Sequence, residues 1–332
     1  MRLHINPCVD VVFKAILGSE HHTNLLINFI NAILGLKGDQ RVTGVTIRNP
    51  FNQKDNLDGK GYVVDVKAYD QLNRDFQLEI QVGNHEALNE RMLYNWAGLY
   101  QNKIKRGHDY AQLKPVYSIW MVVDDLPPLP VHVPGFPLAG EKGSSDRDHV
   151  DYNERRKCDD LHICFGLYSA KPGLYLSQHL GIHVVQLKKL PPDVIIDSDK
   201  TRWVYFFCNG EDLDPDNLPE GMETAEMKEA LNIVETFTEN RENHHLYLSR
   251  LDEFRTRLTL QNQYERAKQQ ADQAQAELER ERAEKERERA EKERERAEKD
   301  KKHAELVRER AENEYLIKLL KKAGIPLKPD RP

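Results

Sequence analysis

Two acidic residues carry the chemistry legible in this chain, Asp65 and Glu79. They lie within KGYVVDVKAYDQLNRDFQLEIQ, residues 60–81, which reads as two β-strands, 62–69 and 76–82, joined by a short turn. Val63, Val64 and Val66 give the first strand its β-branched bulk. Side chains alternate between faces along a strand, so Asp65 and Lys67 share one face. Gln77, Glu79 and Gln81 likewise share a face, opposite Phe76, Leu78, Ile80 and Val82. A three-residue loop at Gln71, Leu72 and Asn73 sets Asp70 against Arg74, and counting back sets Asp65 against Glu79. Directly opposed residues stand about 5 Å apart, and two carboxylates at that spacing repel unless a cation offsets them. Mg²⁺ suits such a pair, because it favours carboxylate oxygens plus retained waters. The same pattern also describes a solvated polar face on an antiparallel hairpin.

The elements that would hold this hairpin flank it on both sides. Asn6 and Pro7 predict a helix start, followed by Val9, Val12, Phe13, Ile16 and Leu17 at helical spacing up to Gly18. Asp10 and Lys14 sit four apart on that helix, as an ordinary surface ion pair would. Thr23 predicts the cap of a second helix ending at Gly35, and 42–48 alternates as a strand before a polar loop over 52–61. After the hairpin, a helix over 86–105 buries Met92, Leu93, Trp96, Ala97, Tyr100 and Ile104, with Arg91 and Tyr94 one turn apart. Lys103, Lys105, Arg106 and His108 form the densest basic cluster of the body, where the helix dipole also favours cations. The apolar run 115–123 predicts a strand covered on both faces. Five prolines mark 124–157 as an irregular surface excursion. Strands are expected over 161–168 and 182–187, and helices over 201–209, 222–237 and 243–260. Cys158, His162 and Cys164 have a zinc-like look, but alternation with Ile163 and Phe165 makes a plain strand the better reading.

The formal net charge is −6. Residues 261–332 hold 20 basic and 18 acidic residues, a net of +2, which leaves −8 for residues 1–260. So acidic a body argues against indiscriminate nucleic-acid binding, which depends on Lys and Arg neutralising phosphates, while leaving room for a local basic groove. Four cysteines without a CxxC pair fit a reducing cytoplasm rather than a disulfide framework. The first residues lack the apolar core of a signal peptide, and no apolar run is long enough to span a bilayer. From residue 261 the character changes. ERAEKER recurs at 281–287 and 288–294 and, imperfectly, at 295–301; within 281–300, 17 of 20 residues are charged. The seven-residue period invites a coiled coil, yet the only apolar residue per heptad is Ala283, Ala290 or Ala297, too little to drive pairing. Glu281 with Lys285, Glu288 with Lys292 and Glu295 with Lys299 instead predict a self-supporting, solvent-exposed helix. The apolar return at 315–320 offers a docking or homo-oligomer contact.

Taken in order, NPCVDVVFKAILG, LLINFINAILG, the 60–81 hairpin, RMLYNWAGLYQNKIKRGHDY, LKPVYSIWMV and VVQLKK resemble the recombination-promoting nuclease and transposase-like group of the PD-(D/E)XK superfamily. The resemblance runs from Asn6 to about Phe207. It implies an α/β, restriction-endonuclease-like core with a central mixed β-sheet flanked by helices, followed here by a long charged C-terminal helix. The expected domains are 1–210, a helical appendage 211–260, and the tail 261–332. It also implies a Mg²⁺-dependent endonuclease that cleaves DNA phosphodiesters, tied to recombination or mobile elements. In that pattern Asp65 and Glu79 match the metal-binding acids, and Gln81 stands where the wider superfamily has lysine. Lys60 or Lys67 would then supply the cation. Asp10, Arg91 and Tyr94 match supporting polar positions, and Lys103, Lys105 and Arg106 would contact DNA. The alternative is a nuclease fold without turnover that binds DNA or a protein partner.

Overall fold

The computed structural model describes residues 4–48, 65–83, 87–104, 107, 109–130, 155–156, 158–169 and 174–322. By contact the chain divides into two compact units, Met1–Gln261 and Asn262–Pro332. The first is built on a six-stranded mixed sheet of order β1-β2-β3-β4-β8-β7, comprising β1 (Val45–Ile47), β2 (Val66–Asp70), β3 (Asp75–Gln81), β4 (Val116–Val122), β7 (His162–Tyr168) and β8 (Tyr175–Gln186). The remaining two strands, β5 (Leu129–Pro130) and β6 (Arg155–Arg156), make a separate pair. The β1–β2 and β2–β3 pairs are antiparallel; β3, β4 and β8 are mutually parallel; β7 closes the far edge antiparallel to β8.

The β2–β3 connection is the three-residue loop that sets the register. Asp70 N–H donates to Arg74 O at 3.1 Å, and Asn73 takes the left-handed conformation at φ 57°, as such hairpins need. Asp70 accepts from the Leu72 and Arg74 amides, while its other oxygen meets the Arg74 guanidinium at 2.6 Å. Both ions are almost fully buried. From this anchor Tyr69 pairs with Asp75 and Val66 with Leu78, so the next step brings Asp65 and Glu79 face to face. The expected strand residues 62–64 lie outside the described residues.

Each face of the sheet has its own apolar layer. Val66, Ala68, Phe76, Leu78, Ile119 and Met121 pack with Phe13, Phe29, Trp203 and Phe207, from the helices α1 (Asp10–Leu17), α2 (Thr23–Leu34) and α4 (Asp199–Asn209). The same core takes in Met227, Leu231 and Val234 of α5 (Ala225–Phe237) and Tyr247, Leu251 and Phe254 of α6 (Arg241–Lys322). Residues 211–260 therefore contribute side chains to the main core. On the other face Trp120, Val122, Ile182 and Val184 pack with Leu88, Met92, Trp96 and Leu99 of α3 (Leu88–Gln101).

Several local expectations shift. Asn6 makes a turn instead of a cap: its side chain accepts from Cys8 N–H at 2.8 Å, and α1 starts three residues after Pro7. Thr23 is the first residue of α2, following a 3₁₀ turn, Glu20–His22, that Ser19 caps. The apolar stripe of α3 is rotated, with Leu88, Met92, Trp96 and Leu99 buried and Leu93 and Ala97 exposed, because the helix rests on β4 through Trp96 and Met92. Gly35 ends α2 at φ 64°, a left-handed position that favours glycine. Ser198 and Thr201 form a reciprocal capping box at the start of α4.

In the second unit, residues 262–322 are helical. Glu281 pairs with Lys285, Glu288 with Lys292 and Glu298 with Lys302. Leu306, Val307, Tyr315, Leu316, Ile317 and Leu319 are exposed. Gly324, Ile325 and Pro326, whose types predict a helix stop, lie outside the described residues. No helix among the described residues is long and apolar enough to cross a membrane.

Two outcomes are expected. Arg74→Ala strands a buried Asp70 carboxylate and should lower unfolding free energy by about 3–5 kcal/mol, read by urea denaturation; a loss under 1 kcal/mol contradicts this role. A peptide of residues 262–322 should be helical by circular dichroism at low salt and less so in 1 M NaCl, where ion pairs are screened. Ellipticity that rises with peptide concentration would show self-association instead of a self-supporting helix.

Candidate active site

β3 is buried along its whole length, so the polar row Gln77, Glu79 and Gln81 is enclosed rather than solvated. The cause is β4, which pairs with β3 in parallel and brings Ser118, Trp120 and Val122 beside those three residues. The solvated-hairpin alternative therefore fails. Asp65 stands at the point where β2 begins, and its Oδ2 accepts from Ile80 N–H at 2.9 Å, extending the ladder by a side chain. Its Oδ1 lies 3.0 Å from Lys14 Nζ, which also approaches Asp10 Oδ2 at 3.6 Å. The Asp10 and Lys14 pair is thus no isolated surface pair: the ammonium bridges α1 to Asp65.

Glu79 is held well above the ordinary carboxylate range, first by burial and then by the Asp65 charge; Arg91, Lys14 and the Gln77 amide act in the opposite direction. Gln81 donates from Nε2 to the carbonyls of Val82 and Gly83 and accepts at Oε1 from Arg91 at 2.6 Å. The same guanidinium lies 5.0 Å over the Trp120 ring. Gly83 N–H is fixed by Asp124 at 2.9 Å, and Asp124 is itself paired with Lys188 at 2.6 Å. So the end of β3 is tied down from three directions, and Arg91 reaches the position where the wider superfamily pattern has lysine.

Asp10, Asp65, Glu79, Gln81 and Arg91 line a cleft of ≈ 180 Å³ together with Cys8, Ile80, Val82, Arg250, Glu253, Phe254 and Arg257. Of the residues singled out from sequence, Asp10, Asp65, Glu79, Gln81 and Arg91 meet there. Tyr94 is 55% exposed on α3 and does not line the cleft. Lys67 is buried, and burial lowers its pKa while Asp75 opposes and Arg48 adds to that effect; it pairs with Gln77 and does not line the cleft. Lys103 is locked to Asp75 at 2.9 Å and to Asn73 O at 2.8 Å, so its ammonium serves the fold rather than a phosphate. Lys60, Lys105 and Arg106 lie outside the described residues.

Lys14, Arg250 and Arg257 were not picked out as site residues. For Lys14 the trace was present, since its four-residue spacing from Asp10 was visible and only the proximity of Asp65 was not. Among the described residues no group of three or more His, Cys, Asp or Glu is arranged to hold a metal ion. Asp65 and Glu79 nevertheless have the donor chemistry for a divalent cation: hard oxygens, one of them buried beside a like charge, with water completing the shell. The Lys14 ammonium on Asp65 is the chain's own cation at that place. His162, Cys164 and His183 form a hydrogen-bonded row across β7 and β8, with the two His183 nitrogens turned to different partners, so they do not converge on one ion.

The raised Glu79 pKa has a sign that can be tested. Below about pH 4.5 both folded and unfolded chains hold this proton; as pH rises the unfolded chain releases it first, and folding loses stability until the folded-state carboxyl ionises. Glu79→Gln has no such proton. In chelator, Glu79→Gln should therefore melt above wild type at pH 8, with the difference shrinking toward pH 4.5. Equal melting temperatures at both ends would contradict a strained carboxyl at Glu79.

A family model described as PD-(D/E)XK nuclease family transposase matches residues 7–130, a span that holds α1 to β4 and every one of Asp10, Lys14, Asp65, Glu79, Gln81 and Arg91. No curated protein and no solved structure matches the chain. The mixed sheet flanked by helices accords with that fold, and the likeness to the PD-(D/E)XK nuclease family transposase model extends over residues 7–130.

Proposed function

We propose that this protein is a divalent-metal-dependent endonuclease that hydrolyses DNA phosphodiesters. The observation that carries the reading is the pair Asp65 and buried Glu79, one step beyond the Val66–Leu78 pairing of β2 and β3 and lining one cleft with Arg91. Asp65 and Glu79 would hold the ion, which when bound polarises a phosphoryl oxygen and lowers the pKa of its water. The chain's own groups do the rest. Arg91, braced by Gln81 Oε1 and the Trp120 face, places a guanidinium toward the cleft with little freedom to lose, suited to negative charge that builds on the phosphate. Lys14 supplies the ammonium that position 81 lacks, steered by Asp10. The Asp124 and Gly83 contact keeps β3 and Gln81 in place as charge shifts.

A second reading is a DNA-binding module without turnover. It is favoured by one observation: Lys14 already neutralises Asp65 without any added ion. Recombination or mobile-element biology, a cytoplasmic location and a homo-oligomer belong to this proposal as well.

Nicking of supercoiled plasmid separates the readings. With Mg²⁺, wild type should nick, Asp65→Ala and Glu79→Ala should not, and Lys14→Met should lose about 100-fold in rate, the scale of one electrostatic donor. Chelator should abolish nicking. Equal rates for wild type and both acid variants would remove the enzyme reading at these residues. DNA binding without any nicking would favour the module.

A further inference from the structure

The matched domain ends at residue 130, yet one wall of its cleft comes from the first turns of α6, far along the chain. Arg250, Glu253, Phe254 and Arg257 lie at i, i+3, i+4 and i+7, and so on one side of the helix. Phe254, 8% exposed, packs into the core with Tyr247 and Leu251, and Tyr247 Oη accepts from Asn6 N–H at 3.0 Å. These anchors set the rotation of α6 and hold its two arginines at the cleft. Arg250 Nη1 meets Glu253 at 2.9 Å, and its Nε is 3.9 Å from Asp10. Arg257 runs beside Gly83 at the end of β3 and has no ion pair or hydrogen bond among the described residues.

We propose that Arg250 and Arg257 form a phosphate-binding wall for the backbone of duplex DNA, beside the acids that act on it; this rests on the nuclease reading of the same cleft. The charge balance supports it. Asp10, Asp65, Glu79 and Glu253 line the cleft against Arg91, Arg250 and Arg257, with Lys14 as a fourth cation at its acids. With all four acids ionised the cleft is near neutral by itself, and it is more positive while Glu79 keeps its proton; a divalent cation on the ionised pair tips it positive, which a phosphodiester would balance. Guanidinium groups suit that role because their fork matches phosphate oxygens in pairs. Among the described residues Arg257 has no ion-pair or hydrogen-bond partner to give up. Arg250 has to exchange only a partly exposed contact with Glu253, whose side chain is 49% exposed. An otherwise acidic unit thereby gains a local cationic edge at the place where a substrate phosphate must sit.

The test is binding of a fluorescent 20-base-pair duplex to the full chain by anisotropy, with Ca²⁺ in place of Mg²⁺, over a series of salt concentrations. Arg250→Gln and Arg257→Gln should each weaken binding by about tenfold and flatten the slope of log K against log salt by about one, as loss of one phosphate contact does. Lys37→Ala, at an exposed turn on another part of the unit, should leave the slope unchanged. Unaltered melting temperatures would show that the arginine variants fold. If both arginine variants keep the wild-type affinity and slope, or if wild type does not retain the duplex, the wall is wrong. Plasmid nicking by wild type with Mg²⁺ separates the two readings: nicking with arginine-independent binding overturns the wall alone, and arginine-dependent binding without nicking overturns turnover alone.

Discussion

Two carboxylates facing each other where β2 meets β3 repel, and the groups around them are arranged to answer that repulsion. Asp65 is held by a backbone N–H and an ammonium, while Glu79 is buried beside Trp120 of β4. Burial and the Asp65 charge both favour the protonated form of Glu79. A site that strains one acid in this way is poised for a cation, because a cation relieves desolvation and repulsion together. The cations supplied by the chain come from α1 and α3, which lie far apart in sequence.

Enclosure follows from topology. A two-stranded hairpin would leave the Gln77, Glu79 and Gln81 row facing water. Parallel pairing of β4 with β3, then β8 with β4, places that row in the interior of a six-stranded sheet covered by α3. At the opposite end of the hairpin, the buried Asp70 and Arg74 pair and the Lys103 link to Asp75 fix the register on which the acid pairing depends. A slip of one residue would send Glu79 to the apolar face. The ion pairs at one end of the hairpin thus protect the geometry at the other.

The C-terminal part of the first unit joins the site in the same way. α5 and the start of α6 add apolar side chains to the core that α1, α2 and α4 build. Phe254 and Leu251 anchor α6 on that core, and Arg250 and Arg257, flanking Phe254 on the same side of the helix, line the cleft. Core packing and the cationic lining of the cleft are then two consequences of one helix rotation.

Much of this was legible in the residues alone. Alternation along 62–82 separated an apolar from a polar face, and the turn composition set the register, because both are local properties of a short ribbon. The helices 201–209 and 222–237 were evident from their periodicity, as was the charged helix from its heptads, whose support is between neighbours four apart. Which cation meets Asp65 was not legible: Lys60 and Lys67 were nearer in sequence, but Lys67 does not line the cleft, while Lys14 arrives from α1. The exposure of Leu93 and the loss of Lys103 to an internal pair were also decided by packing against β3 and β4. Local sequence determined which strands and helices form and which of their faces are polar. Only the tertiary structure decided which charges from distant segments share a cleft, because that depends on long-range pairing and burial that no short window of sequence contains.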